Sequence, residues 1–363
     1  MMQETKFPNW QSRLFLSAIA RRQPIRAAAL PRPVRGFLHW YEKHILKVDD
    51  SKAPPDRPVF LVGMPRSGTT MVQDILCSHP QIAYINNTMY FFPDCFCSIE
   101  HYRRMLRLDF ESDRYLADSV SVSASSPSDA VAVWEKWFGL DVYDLGFKPL
   151  AMADFPQPVV DDIHATIRKV VWSCGAGRSR FFTKLLVVLP YLEIIRDIFP
   201  GARFVHIIRD ARNTANSLLK LYRTEVEHQD KMDLVRPAGV KGERYFISYP
   251  RFPRLKEYVE DFGLDDIRTT ANLWNDEITY VDSLRDKLPN FHEVRYEDIV
   301  ADPAREIGKL LEFCQLSPLD EKCEAIWKKI REVGSLRHTN KYGNFPAIEE
   351  ICAQNMRKHG YAV

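Results

Sequence analysis

Short, continuous apolar runs recur along the chain, each followed by a stretch with helical spacing. Val59-Phe60-Leu61-Val62 is uniformly apolar and ends at Gly63. A run of that length without alternation fits a strand buried on both faces of a parallel sheet. Residues 69–77 then read as a helix with Met71, Ile75 and Leu76 facing inward, stopped by His79-Pro80. Further strands are expected over 181–184, 202–208 and 292–296. Helices are expected over 189–199, from 211 to about 222, over 267–288 and over 303–314. The middle, 98–175, is mostly helical in pattern, and the tail from 334 is loop-rich with a short final helix. Strands alternating with helices predict an α/β, three-layer architecture with a mostly parallel central sheet.

The proline-rich segment 51–58 separates a basic N-terminal helical extension, 1–50, from a single domain, 51–363. Within that domain, the polar, Pro- and Gly-bearing segment 224–265 is expected to be an insertion or lid near an acceptor site. From Met1 to Lys47 there are nine Lys or Arg against two Glu. Trp10, Leu14, Phe15 and Ile19 share one helical face there. That face either packs on the domain or allows peripheral contact with anionic lipid.

Composition narrows the function classes. Apolar residues make up 45% and charged residues 27%, an ordinary globular balance. The formal charge of +2 argues against a nucleic-acid binder. The seven cysteines are irregularly spaced and form no CxxC pair, so neither a zinc site nor a redox motif is indicated. That pattern predicts a reducing, cytoplasmic setting. No stretch reaches the roughly 18 apolar residues of a membrane span. Nor does the N-terminus read as a secretory signal.

The most informative segment is Gly63-Met64-Pro65-Arg66-Ser67-Gly68-Thr69-Thr70. A glycine-flanked loop between a buried strand and a helix turns backbone N–H groups and the helix dipole toward an anion. The spacing matches the triphosphate loop G-x-x-x-x-G-K-S/T except that Thr69 stands where the lysine belongs. That lysine reaches the β- and γ-phosphates. A donor with one phosphosulfate linkage carries less charge, and Arg66 with the hydroxyls of Ser67, Thr69 and Thr70 suits it.

This loop resembles the 5'-phosphosulfate loop of the PAPS-dependent sulfotransferase family, in which PKSGTT or PRSGTT follows the first strand. PAPS is 3'-phosphoadenosine 5'-phosphosulfate. The family's second signature, a strand ending in Arg-Asp with a serine on the next helix, is similar to the segment from Phe204 to Ser217. The resemblance implies a P-loop NTPase-like sulfotransferase fold. It also implies that Arg209 and Ser217 hold the nucleotide 3'-phosphate, and that the product is 3',5'-adenosine bisphosphate. Val294-Arg295-Tyr296-Glu297-Asp298-Ile299 with Asp302-Pro303 is similar to an architectural segment of the family. The tail 334–343 sits where the family places a basic loop over the nucleotide, which makes Arg337 and Lys341 candidates. The resemblance spans 57–345.

Sulfuryl transfer asks for a cation near the leaving oxygen and a base near the acceptor hydroxyl, and needs no metal. Lys184, at the end of a strand, is the candidate cation. The resemblance places a lysine there, followed in many members by Ser-Pro or Thr-Pro, where this chain has Leu185-Leu186. A catalytic histidine two residues after the lysine is excluded by Leu186. Many bacterial and Golgi-type members of the family use a carboxylate on a helix after the first βα unit, and by that resemblance Asp129 and Glu135 are the candidates. Asp129 is expected in the first helical turn. Glu135, between Trp134 and Trp137, is expected to be partly buried and is slightly favoured. His206 reads as a packed strand residue. The aromatic stretches 84–105, 134–143 and 245–252 mostly suit core packing, with some walls for a glycan, lipid-linked or small-molecule alcohol acceptor. Two other readings compete: a P-loop phosphotransferase, which Thr69 argues against, and a catalytically silent nucleotide-binding module.

Overall fold

The computed structural model describes residues 5–22, 30–49, 51, 57–114, 120–233, 244–319 and 339–363. Its strands are β1 Val59–Val62, β2 Ile82–Ala83, β3 Ser112–Asp113, β4 Ser121–Val122, β5 Arg180–Lys184, β6 Arg203–Ile208 and β7 Phe291–Arg295. Its α-helices are α1 Trp10–Arg22, α2 Arg32–Tyr41, α3 Thr69–Ser78, α4 Asn87–Phe91, α5 Phe96–Met105, α6 Val131–Phe138 and α7 Gln157–Cys174. They continue with α8 Leu192–Ile198, α9 Ala211–Lys231, α10 Leu255–Phe262, α11 Ile267–Leu284, α12 Tyr296–Ala301, α13 Pro303–Phe313 and α14 Phe345–Lys358.

The main sheet has five strands in the order β2-β5-β1-β6-β7, and every pairing in it is parallel. Strand side chains alternate between faces. Phe60 and Val62 therefore enter a core packed by α7, α8, α9 and α11. Val59 and Leu61 enter the opposite core, against Val72, Ile75 and Leu76 of α3 and Ile307, Leu310 and Leu311 of α13. Both faces are covered, which explains the uniformly apolar runs and confirms the expected α/β layering.

Several elements depart from expectation. Helix α9 runs to Lys231, past the expected end near 222. Its last turns bury Glu225, His228 and Gln229, and Gln229 exchanges hydrogen bonds with the backbone of Phe246. Residues 234–243 of the expected insertion lie outside the described residues. The part that follows, 244–253, packs back onto the end of α9. Tyr296 begins α12 rather than ending β7. Asp129 precedes α6 instead of entering its first turn, since Ala130 takes a left-handed conformation (φ 52°) and delays the helix to Val131.

Candidate functional site

The carboxyl ends of β1, β5 and β6 meet at the centre of the sheet. The chain runs outward from β1 on one side and resumes at β6 on the other, so the strand order reverses between them. Ligands of open α/β sheets bind at such a reversal. Register places Leu61 beside Lys184 and Val62 beside His206. The loop after β1, the end of β5 and Arg209 after β6 therefore share one edge.

The loop is shaped by three left-handed residues, Gly63 (φ 147°), Arg66 (φ 75°) and Gly68 (φ 97°). A Cβ at Gly68 would collide with the Tyr296 ring, and one at Gly63 would lie 2.7 Å from the Ile207 carbonyl. Arg66 adopts this conformation without glycine's freedom, a local strain of the kind held at ligand clamps. Gly68 caps α3, and the first N–H groups of a helix have no partner within it. Thr69 and Ser67 are buried and Thr70 is half-buried.

Arg66 Nε donates to Ser217 Oγ at 3.0 Å, joining the loop to α9. Arg209 Nη1 donates to the Arg66 carbonyl at 3.2 Å, and its guanidinium lies 4.2 Å over the Tyr296 ring. Trp274 Nε1 donates to the Arg209 carbonyl at 3.0 Å. Thus Arg66, Ser67, Gly68, Thr69, Arg209 and Ser217 are brought together. Buried Ser67 Oγ and Arg209 Nε have no hydrogen-bond partner among the described residues. Buried polar atoms are rarely left so, and a phosphate oxygen bound at this edge would give both a partner. The charge, hydroxyls and cradle present fit a phosphoadenosine ligand.

Lys341 is exposed and stands over Tyr342, 5.8 Å from the ring centroid. Its turn docks beside Ser217, because Asn344 Nδ2 donates to Asn216 Oδ1 at 2.8 Å. Arg337 lies outside the described residues.

Lys184 and Asp129 meet directly, Nζ to Oδ1 at 2.8 Å, with the Lys184 side chain 5% and that of Asp129 33% exposed. Glu135 is placed differently. Its Oε1 accepts the Val142 N–H at 2.9 Å, so it holds the turn after α6. Burial first, and then the Glu135 and Asp129 carboxylates, push the Tyr90 phenol well above its ordinary range. Val142 and Val187, just past Lys184, line a cleft of about 400 Å³ with Phe147, Lys148, Tyr191 and Arg251.

His206 is a structural residue, as its strand position suggests. It hydrogen-bonds Glu277 at 2.8 Å and Glu293 at 2.9 Å. Burial alone would lower its pKa, but the two carboxylates raise it to about 9. Trp134 and Phe138 pack against Phe60 and Phe155 in the core rather than walling a site.

Two further residues bear on this region: Tyr296, from the segment read as architectural, and Glu225, which no motif in the sequence singles out. Tyr296 shapes the loop and carries Arg209. Glu225 sits two helical turns past Ser217 on α9, buried, and accepts from the Ser248 backbone N–H at 3.0 Å and from the Ser248 hydroxyl. Burial pushes its carboxyl up to about 7, against the hydrogen bonds of Ser248 and the charges of Arg251 and Arg66. The only sequence signal for Glu225 is its spacing from Ser217.

The chain is similar to several known proteins. It is 20% identical over 290 residues to protein-tyrosine sulfotransferase A of Caenorhabditis elegans, covering 78% of this chain and 56% of that one. It is 21% identical over 281 residues to an uncharacterized protein of Aquifex aeolicus, covering 77% of this chain and 28% of the other. The chain thus matches less than two thirds of the length of either relative. The fold is similar to that of the sulfotransferase STF9 from Mycobacterium avium, with a TM-score of 0.55 at 16% identity over 90% of this chain and 82% of that one. A sequence model of the sulfotransferase family matches residues 58–321, and with that span the chain belongs to the sulfotransferase family.

Proposed function

We propose that the protein transfers the sulfuryl group of PAPS to an acceptor hydroxyl. The observation that carries this reading is the Lys184–Asp129 pair, 2.8 Å apart, at the same sheet edge as the Arg66 loop and Arg209. A silent nucleotide-binding module has no use for a buried ammonium held against a carboxylate that is one-third exposed there.

The 5'-phosphosulfate belongs to the loop, held by Arg66, Ser67, Thr69, Thr70 and the N-terminus of α3. The 3'-phosphate belongs to Arg209 and Ser217, with Lys341 on the turn beside them. An arginine fork and a helix N-terminus both favour such anions. Bound PAPS supplies an activated sulfuryl group on a good leaving phosphate. Asp129 takes the proton of the acceptor hydroxyl as its oxygen bonds to sulfur. The bond from sulfur to the bridging oxygen breaks, and the bridging oxygen stays with the bisphosphate product. Lys184 offsets the charge that develops there. Asp129 also keeps the Lys184 ammonium aimed before PAPS binds. The geometry favours Asp129 over Glu135, whose Oε1 already accepts a backbone N–H. The cleft beside Val187 suits a small-molecule or glycan alcohol.

The test is transfer of a sulfur label from PAPS to a panel of alcohols and glycans. Label transfer that depends on Lys184 supports the reading. Release of labelled phosphate from ATP, with no transfer from PAPS, would move the chain to phosphoryl transfer.

A further inference from the structure

The N-terminal helices carry apolar side chains that the fold leaves in solvent. On α1 the inner face is Ser12, Leu16 and Ala20, which pack against the protein. On α2 the buried residue is Leu38. Trp10, Leu14 and Phe15 of α1, with Val34, Phe37 and Trp40 of α2, are between 45% and 69% exposed. An amphipathic helix of a globular domain ordinarily turns its apolar arc to the core. Helix α2 does the opposite: Val34, Phe37 and Trp40 fall on one arc, and Phe37 stacks on Trp40 with ring centroids 6.0 Å apart. The helix is nevertheless firmly seated. Ser98 Oγ donates to the Leu38 carbonyl at 3.0 Å, and Tyr41 stacks on Tyr102 at 5.1 Å. The outward aromatic arc is therefore held rigidly by the domain.

Charge identifies what covers it. Arg13, Arg32, Lys43 and Lys47 are exposed on the same helices and the turn that follows α2. The first 47 residues hold nine Lys or Arg against two Glu. A second copy of the chain would bring like charges together. An anionic bilayer surface accepts both features, aromatic rings at headgroup depth and cations at the phosphates.

We propose that the outer faces of α1 and α2 dock the protein on an anionic membrane surface, with Phe37 and Trp40 as the inserted side chains. This proposal is independent of the sulfuryl-transfer reading. The experiment is co-sedimentation of the full chain with phosphatidylcholine vesicles containing either none or about 30% phosphatidylglycerol. Binding is expected to the anionic vesicles and to weaken with salt. The Phe37→Ser/Trp40→Ser variant should bind at least about tenfold more weakly, since each ring loses burial of its apolar surface. Lys43→Glu should weaken binding more than about fivefold. Both variants should keep the parent's circular dichroism and melting temperature, because the altered side chains are exposed. Absence of vesicle binding, or equal binding to neutral and anionic vesicles, overturns the proposal. So does a dimer in light scattering that Phe37→Ser/Trp40→Ser dissociates, which would assign the face to self-association.

Discussion

Replacing Asp129 by Asn separates the two things its carboxylate does. It is the proposed base, and it neutralises Lys184, whose side chain is 5% exposed. Unpairing a fully buried ion pair costs about 3–5 kcal/mol. Asp129 is one-third exposed, however, and the Asn amide oxygen still accepts from the ammonium. The expected stability loss is therefore only about 1–2 kcal/mol. Loss of a positioned base costs about 10²–10⁴ in rate, equivalent to about 3–5 kcal/mol in the barrier. The assay is single-turnover sulfuryl transfer at saturating PAPS, with chemical denaturation and bisphosphate affinity measured on the same sample. Asp129→Asn should lose at least about a hundredfold in rate while holding bisphosphate affinity within about threefold. Glu135→Gln keeps an acceptor for the Val142 N–H and should stay within about tenfold of the parent. A fast Asp129→Asn beside a slow Glu135→Gln would refute the assignment and make Glu135 the base.

Three other expectations follow from the same geometry. Arg209→Ala and Ser217→Ala should each weaken 3',5'-adenosine bisphosphate binding in calorimetry, the arginine by about ten- to a hundredfold, since hydrogen bonds to charged groups contribute about 1.5–3 kcal/mol. Gly68→Ala forces a Cβ into the Tyr296 ring at φ 97°; a loss of stability of about 2 kcal/mol or more and of bisphosphate binding should show in melting and titration. Glu225 and His206 both have raised pKa values, so each stabilises the fold at low pH and loses that contribution as pH rises. Glu225 acts between its ordinary 4.5 and about 7, and His206 between 6.5 and about 9. Denaturation of Glu225→Gln across pH should remove the first decline, worth up to about 3 kcal/mol, and leave the second.

The parallel sheet was legible because β1 is uniformly apolar, as a strand buried on both faces requires, and β5 and β6 carry shorter apolar runs that stop at Thr183-Lys184 or are interrupted by His206. The loop and the Arg209–Ser217 segment could be located because glycine-flanked turns between strand and helix are short local motifs. The pairing of Asp129 with Lys184 was not legible, since the two are far apart in sequence and only the approach of the segment before α6 to the end of β5 joins them. Ser-Pro-Ser-Asp before an apolar run reads as a helix start, and the left-handed Ala130 defeats that reading by shifting the start to Val131. The end of α9 was misread because Glu225 and Gln229 are polar residues buried on hydrogen bonds to 246–248, a pairing that periodicity does not register. The N-terminal segment allowed either packing or exposure of its apolar face, and α1 has both, with Leu16 and Ala20 buried and Trp10, Leu14 and Phe15 exposed.

The identity of the donor decides the reaction, and calorimetric titration reads it without an acceptor. The parent protein is titrated with 3',5'-adenosine bisphosphate, and with ATP and magnesium as the control. A sulfuryl-transfer site should bind the bisphosphate in the micromolar range, lose that binding in Arg209→Ala, and show no comparable binding of ATP. Tight ATP binding with none of the bisphosphate would contradict it.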